Sequence, residues 1–283
     1  MNDPLRTRSL GSAAARSVLL TILGEYVLPR SGAVWQETLV AALGAMGYSE
    51  HASRQALARS VRDGWLMSER QGRRARVSLS TGTAELLRTG ASRIYSFGEP
   101  WDWSGEWLMV VLRVPESRRD VRHQLRTRLA WAGLGSLGGG VWLTPHVERE
   151  AELQEFVLAE TAAEVVSFHG RIGRLGEARR VAEAAWDLDA VVEQYQAFID
   201  DFRRVRPSSS AACFRAQTEL VHAWRKFPFL DPDLPADLLR PGWPRRRAHE
   251  LFRDRHERWA AAARGYFESL EDGVITLAAA GSV

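Results

Sequence analysis

The chain has 283 residues, 45% hydrophobic and 26% charged, the balance of an ordinary soluble globular protein and enough length for about two domains, or three small ones. No apolar run reaches the ~18–20 residues of a membrane span, and the N-terminal "MNDPLRTRSLGSAAARSVLL" lacks the apolar core and cleavage site of a secretion signal, so a cytoplasmic protein is expected. The net charge of +3 is unevenly placed: Met1–Tyr95 holds 13 arginines against 7 acids, whereas the remainder holds 25 basic residues against 28 acids.

A basic first third points to a phosphate-bearing partner there. Yet 37 of the 38 basic residues are arginine, a skew that genome composition also produces, so placement has to decide. Cys213 is the only cysteine, which excludes an internal disulfide and a cysteine-rich metal site.

Along the chain, Val18, Leu19, Ile22 and Leu23 recur at helical spacing, and after "PRSGA" the pattern resumes through Trp35, Leu39, Leu43 and Met46 until Gly47 stops it. Ser49 can cap a third helix over Glu50–Asp63. On its wheel Ser53, Ala56, Leu57 and Ser60 share the inner side, while His51, Arg54, Gln55, Ala58 and Arg62 share the outer side with Arg59 at its edge. Small inner residues allow close packing, and guanidinium and amide groups outside can read base edges. "WLMSE" and "ARVSLS" then read as strands joined by "RQGRR", a turn that projects Arg70, Arg73 and Arg74 together, with Arg76 following. Three helices and a basic hairpin make a winged helix-turn-helix for duplex DNA; a solvated basic face is the alternative from charge alone.

After a helix near Thr83–Ile94, "ASRIYSFGEPWDWSGEW" marks a boundary. "WLMVVLRV" is a strand-length apolar run, "SRRDVRHQLRTRLAWAG" an amphipathic helix with Val121, Leu125 and Leu129 inward, and "SLGGGVWLTP", "EREAELQEFVLA" and "AEVVSFHGRI" continue as strand, helix and strand. This order is that of a split βαβ, ferredoxin-like sandwich, which commonly pairs with a second copy. Gly133 to Gly138 fits G-x-G-x-x-G literally, but it follows a helix and leads into a strand, the reverse of a dinucleotide site. From Gly176 the chain is helical in pattern apart from "PFLDPDLPADLLRPGWP", a proline-rich loop able to cap the helices or wall a pocket.

The segments "RQALARSVRDGWL", "GRRARVSLS", "GGGVWLTP" and "HAWRKFPFLDPDLPADLLRPGWP" together resemble the PaaX-type phenylacetate-degradation repressors, and the likeness runs through all three regions. The resemblance implies an α+β multidomain protein: a winged-helix DNA-binding domain over 1–95, a ferredoxin-like dimerisation domain over 96–175, and a helical domain over 176–283 that binds effector. It implies a homodimer that represses transcription from an inverted-repeat operator and releases DNA on binding an aromatic acyl-coenzyme A such as phenylacetyl-coenzyme A. The family's helix arginines fall on Arg54 and Arg59 and its wing pair on Arg73 and Arg74; Ser60 stands where relatives commonly carry a larger apolar residue.

The DNA-contacting set is thus His51, Arg54, Gln55, Arg59 and Arg62 from the helix with Arg70, Arg73, Arg74 and Arg76 from the wing, and Arg225 and Lys226 are candidates to meet effector phosphates. No catalytic residue, cofactor or metal is expected. The central domain resembles small CRISPR-associated nucleases that hold metal with an aspartate at the end of the first strand, where this chain has Arg113. His249 and His256 lack the i, i+4 spacing of a zinc helix, and "HELFRDRHE" reads as a charged surface. The competing readings are an acyl-coenzyme A-dependent enzyme or nuclease, and a constitutive DNA binder without effector.

Overall fold

The computed structural model describes residues 12–30, 32–99, 101–158 and 163–280. The chain forms two compact units that do not follow its order: Met1–Tyr95 joins Asp201–Arg225 and Glu250–Val283, and Ser96–Asp200 joins Lys226–His249.

In the first unit, α1 (Ser12–Ile22) runs into a π-helical turn, Leu23–Val27, closed by the Leu28 amide donating to the Leu23 carbonyl five residues back. Next come β1 (Val34–Trp35), α2 (Gln36–Ala45), α3 (Glu50–Arg62), β2 (Leu66–Gln71), β3 (Arg74–Leu79) and α4 (Thr81–Ser96). Trp35 was expected to open the second helix. It instead extends as β1, paired Val34↔Val77 and Trp35↔Arg76, because a β-branched residue and an aromatic beside an open strand edge gain more from sheet pairing than from one more helical residue.

The second unit takes β4 (Trp107–Arg113), α5 (Arg119–Trp131), β5 (Gly135–Gly138), β6 (Val141–Thr144), α6 (Glu150–Leu158), β7 (Glu164–Gly170), α7 (Ala178–Ala185) and most of α8 (Leu188–Phe202). Of the later helices, α9 (Ser210–Trp224) belongs to the first unit and α10 (Phe227–Leu230) to the second, while α11 (Arg245–Ala280) gives the second unit its residues up to His249 and the first unit the rest. The four strands pair antiparallel in the order β5-β6-β4-β7.

The β4 run is apolar because both its faces are covered. Leu108, Val110 and Leu112 pack with Val121, Leu125 and Leu129 of α5, and Trp107 packs with Leu143, Ala182, Leu188, Leu234 and Leu238. The G-x-G-x-x-G glycines serve a turn and a strand edge: Gly133 closes α5 at φ +83, while Gly135 and Gly138 lie in edge strand β5, where a Cβ on Gly135 would sit 2.5 Å from the Trp186 ring.

The proline-rich loop is pinned to its own unit. Arg245 donates from Nε to Asp231 Oδ2 at 2.8 Å and from Nη2 to Asp231 Oδ1 at 2.6 Å, while the Tyr195 hydroxyl donates to Oδ2 at 2.7 Å. Asp231 also accepts the Asp233 amide at 2.8 Å, which holds Asp233 in its left-handed turn at φ 55. Burial opposes the Arg245 charge, but Asp231, Asp233 and Tyr195 together outweigh it and leave the guanidinium above its ordinary value.

The first unit's core joins distant parts of the chain. Leu19, Ile22 and Leu23, Leu39 and Leu43, Ala56 and Leu57, and Leu66 and Val77 pack with Phe214, Ala263 and Phe267. The Tyr26 ring lies 5.0 Å from Phe214 and 5.3 Å from Phe267, centroid to centroid.

Candidate nucleic-acid interface

Helix α3 starts where Ser49 Oγ accepts the Ala52 amide at 3.2 Å. Glu50 in its first turn and Arg59 and Arg62 in its last complement the helix dipole. Ser53, Ala56, Leu57 and Ser60 are buried, as the wheel predicts. The two serines fit there because each hydroxyl donates back one turn, Ser53 to the Ser49 carbonyl and Ser60 to the Ala56 carbonyl, both at 2.9 Å. The helix can thus seat closely on its neighbours without an unsatisfied hydroxyl.

The opposite face leaves His51, Arg54, Gln55 and Arg62 exposed. Arg54 pairs with Glu50 at 2.9 Å and Gln55 Nε2 lies 2.8 Å from His51 Nε2. An exposed i, i+4 ion pair holds a guanidinium only weakly, so Arg54 is available to a stronger acceptor. Arg59 is half-buried, and its Nε and Nη2 have no hydrogen-bond partner among the described residues. At the helix end Arg16 pairs with Asp63 at 2.7 Å and lies 3.6 Å over the Trp65 ring, tying α3 to α1.

The hairpin is longer than expected. Register runs from Leu66↔Leu79 to Gln71↔Arg74, so only Gly72 and Arg73 form the turn, with Gly72 at φ +63. Strand alternation then puts Arg70 and Arg74 on opposite faces, and the arginines do not project together. Arg70 and Arg73 are exposed, whereas Arg74 and Arg76 are half-buried. Arg74 donates to the Val274 carbonyl at 2.9 Å, lies 3.8 Å from Glu37 Oε1 and sits 4.5 Å over the Trp35 ring. Arg76 donates to the Ala33 carbonyl and lies 5.4 Å from the same ring.

Helix α9 braces this unit. Thr21 Oγ1 is 3.0 Å from His222 Nδ1, Tyr26 Oη is 3.2 Å from Thr218 Oγ1, Arg215 donates to the Ala45 carbonyl at 3.1 Å, and Trp224 donates to the Ile94 carbonyl at 3.0 Å. Arg225 joins the brace: one Nη donates to the Ser17 carbonyl at 3.0 Å and to its hydroxyl at 2.7 Å, and burial lowers the guanidinium pKa. Lys226 is exposed at the start of α10.

Models of the PaaX-like protein, the PaaX central Cas2-like domain and the PaaX-like C-terminal domain match residues 14–83, 100–182 and 186–269. The transcriptional repressor PaaX of Escherichia coli K12 is 30% identical over 94% of this chain and 87% of its own. The chain belongs to the PaaX family. In fold it is similar to the uncharacterized protein Rv0674 of Mycobacterium tuberculosis, with a TM-score of 0.61 and 22% identity over 90% of this chain and 98% of that one.

Against this PaaX-family background, the residues that sequence reasoning missed are Trp35, Arg16 and Trp65. Two arginines two apart in one strand, with a tryptophan upstream, are the only local signal of the Trp35 platform. The "HELFRDRHE" stretch is only partly the charged surface expected. Asp254 and Arg258 pair at 2.7 Å on the exposed side, but His249 is buried and His256 turns inward to Glu25 at 3.1 Å, because this stretch of α11 buries one face, the face that also carries Phe252, Trp259 and Ala263. Among the described residues no three His, Cys, Asp or Glu side chains gather as a metal site, and no helix is long and apolar enough to cross a membrane.

Proposed function

We propose that this chain is a cytoplasmic transcriptional regulator, a repressor by its relationship to the Escherichia coli protein, that binds operator DNA as a homodimer and performs no catalysis. The observation that carries this reading is α3, whose inner face of small residues is buried while His51, Arg54, Gln55 and Arg62 stand exposed beside Arg70 and Arg73 of the hairpin in sequence. In this reading α1 to α3 with β1 to β3 are a winged helix-turn-helix, α3 enters the major groove, and the hairpin meets the backbone or the minor groove. Arg54, Gln55, Arg59 and Arg62 read or position on bases. Arg70 and Arg73 take phosphates; Arg74 and Arg76 contribute by holding the hairpin on Trp35 and reach phosphate only by leaving those contacts.

The order β4-α5-β5-β6-α6-β7, with strands arranged β5-β6-β4-β7, supports a ferredoxin-like reading of the second unit. Val166 and Phe168, each 53% exposed on edge strand β7, support a dimer contact through that sheet. Two symmetric copies then set the half-site spacing of an inverted repeat. An aromatic acyl-coenzyme A effector rests on family membership. Of the two cations expected to meet its phosphates, Lys226 is exposed and makes no ion pair among the described residues, while Arg225 is held by Ser17.

Genome-fragment footprinting at several salt concentrations, with and without phenylacetyl-coenzyme A, tests all of this. A protected inverted repeat released by the ligand supports the full reading. Protection indifferent to it removes the effector, and absence of specific protection removes the DNA function.

A further inference from the structure

The first unit contains a cavity of about 520 Å³, within the range of small-molecule sites, that the DNA reading does not use. Its polar cluster is built on the π-helical turn at Leu23–Val27, a distortion frequent at functional sites. That turn presents Glu25, whose side chain is only 11% exposed. Its carboxylate accepts the Tyr95 hydroxyl from α4, lies 3.1 Å from His256 Nε2 on α11, and lies 3.4 Å from Gln217 Nε2 on α9. Burial, then Glu25, raises the Tyr95 pKa, so the phenol stays a donor.

Two features of this cluster are incomplete. Gln217 is 1% exposed, and its buried Oε1 has no hydrogen-bond partner among the described residues; a buried acceptor left open is uncommon in a native structure. At the rim Arg88 and Arg264 are exposed and make no ion pair or hydrogen bond among the described residues. Glu25 is already surrounded by donors, so the open valences of the cavity are one acceptor and two guanidinium groups. Leu28, Pro29 and the Tyr95 ring add apolar surface to the same lining.

We propose that this cavity is a small-molecule site for an organic anion bearing a hydrogen-bond donor, of the class of hydroxylated aromatic carboxylates. The carboxylate pairs with Arg88 and Arg264, for which the planar guanidinium fork is suited; the ring lies on the apolar surface; and the hydroxyl donates to Gln217 Oε1. A donor is required because a site with an open buried acceptor discriminates against the analogue that lacks one. The proposal is independent of the acyl-coenzyme A reading and of DNA binding. By linkage, any preference of the ligand for DNA-free protein appears reciprocally as weakened DNA binding.

Calorimetric titration of the full chain without DNA, using 4-hydroxybenzoate and its unhydroxylated partner benzoate, tests the site. The hydroxylated acid is expected to bind at least tenfold more tightly. Arg88→Ala with Arg264→Ala should weaken both acids at least tenfold at an unchanged melting temperature, and Gln217→Met should erase the difference between them. Failure of 4-hydroxybenzoate to bind at millimolar concentration overturns the proposal, as does binding that survives loss of both arginines or a preference that persists in Gln217→Met. Should Gln217→Met not fold, the surface arginine pair still decides. Footprinting measures the operator reading separately, so either can fail alone.

Discussion

Arg245 grips Asp231 through two nitrogens at 2.8 and 2.6 Å, with the Asp231 side chain fully buried and that of Arg245 11% exposed. The pair anchors the proline-rich loop, and removing one partner leaves a buried charge. Arg245→Met is expected to destabilise the protein by about 3–5 kcal/mol. Arg245→Met with Asp231→Leu should recover only part of that loss, because the Tyr195 hydroxyl and the Asp233 amide then lose their acceptor and Asp233 loses its own contact with Arg245. Urea unfolding followed by tryptophan fluorescence checks both, and a double variant as weak as the single one would deny the coupling.

The two kinds of DNA arginine should separate. Arg54→Ala is expected to lose ~1–3 kcal/mol of operator affinity and relax sequence preference, whereas Arg73→Ala should weaken all sequences alike and reduce the salt slope by about one. Titrations of operator and scrambled duplexes over a salt series measure this, and identical behaviour of the two variants would refute the division.

Arg74 and Arg76 flank Trp35 at 4.5 and 5.4 Å, so their removal should act on the hairpin rather than on phosphate. Trp35→Ala is expected to reproduce most of the effect of Arg74→Ala with Arg76→Ala on melting temperature, since each dismantles the same stack. A double arginine variant with native stability and lost DNA affinity would instead place both on the backbone.

Phe214 carries the C-terminal segment into the N-terminal core, 5.0 Å from Tyr26. Phe214→Ala should cost about 3–5 kcal/mol and reduce DNA binding, although it lies far in sequence from α3. A fragment of residues 1–95 should be largely unfolded by circular dichroism, having lost Phe214 and Phe267 from its core.

His146 supplies a pH dependence. Burial, then Arg149, lowers its pKa from the ordinary 6.5, with Asp233 and Glu148 opposing. The unfolded chain therefore binds this proton more readily than the folded one, and stability present above about pH 6.5 is lost as pH falls from there through the lowered native value. His146→Gln should flatten the urea midpoint over that window relative to wild type.

Periodicity and capping are local, and what depends on them was legible in the residues. Ser49 as a cap, the buried face of α3 at Ser53, Ala56, Leu57 and Ser60, and the strand–helix order from Trp107 to Gly170 each follow from neighbours within a turn or a strand. Only tertiary structure could decide what lies across long separations. That Arg74 is held by Val274 and Arg225 by Ser17, that Asp231 waits for Arg245, and that Phe214 and Phe267 complete the core of the first unit are pairings between residues that no repeat period connects. The same holds for Glu25, Tyr95, Gln217 and His256, four residues from four elements that meet at one π-helical turn. Charge and hydrophobicity say which side chains can find a partner or a core; the path of the backbone decides which one they meet.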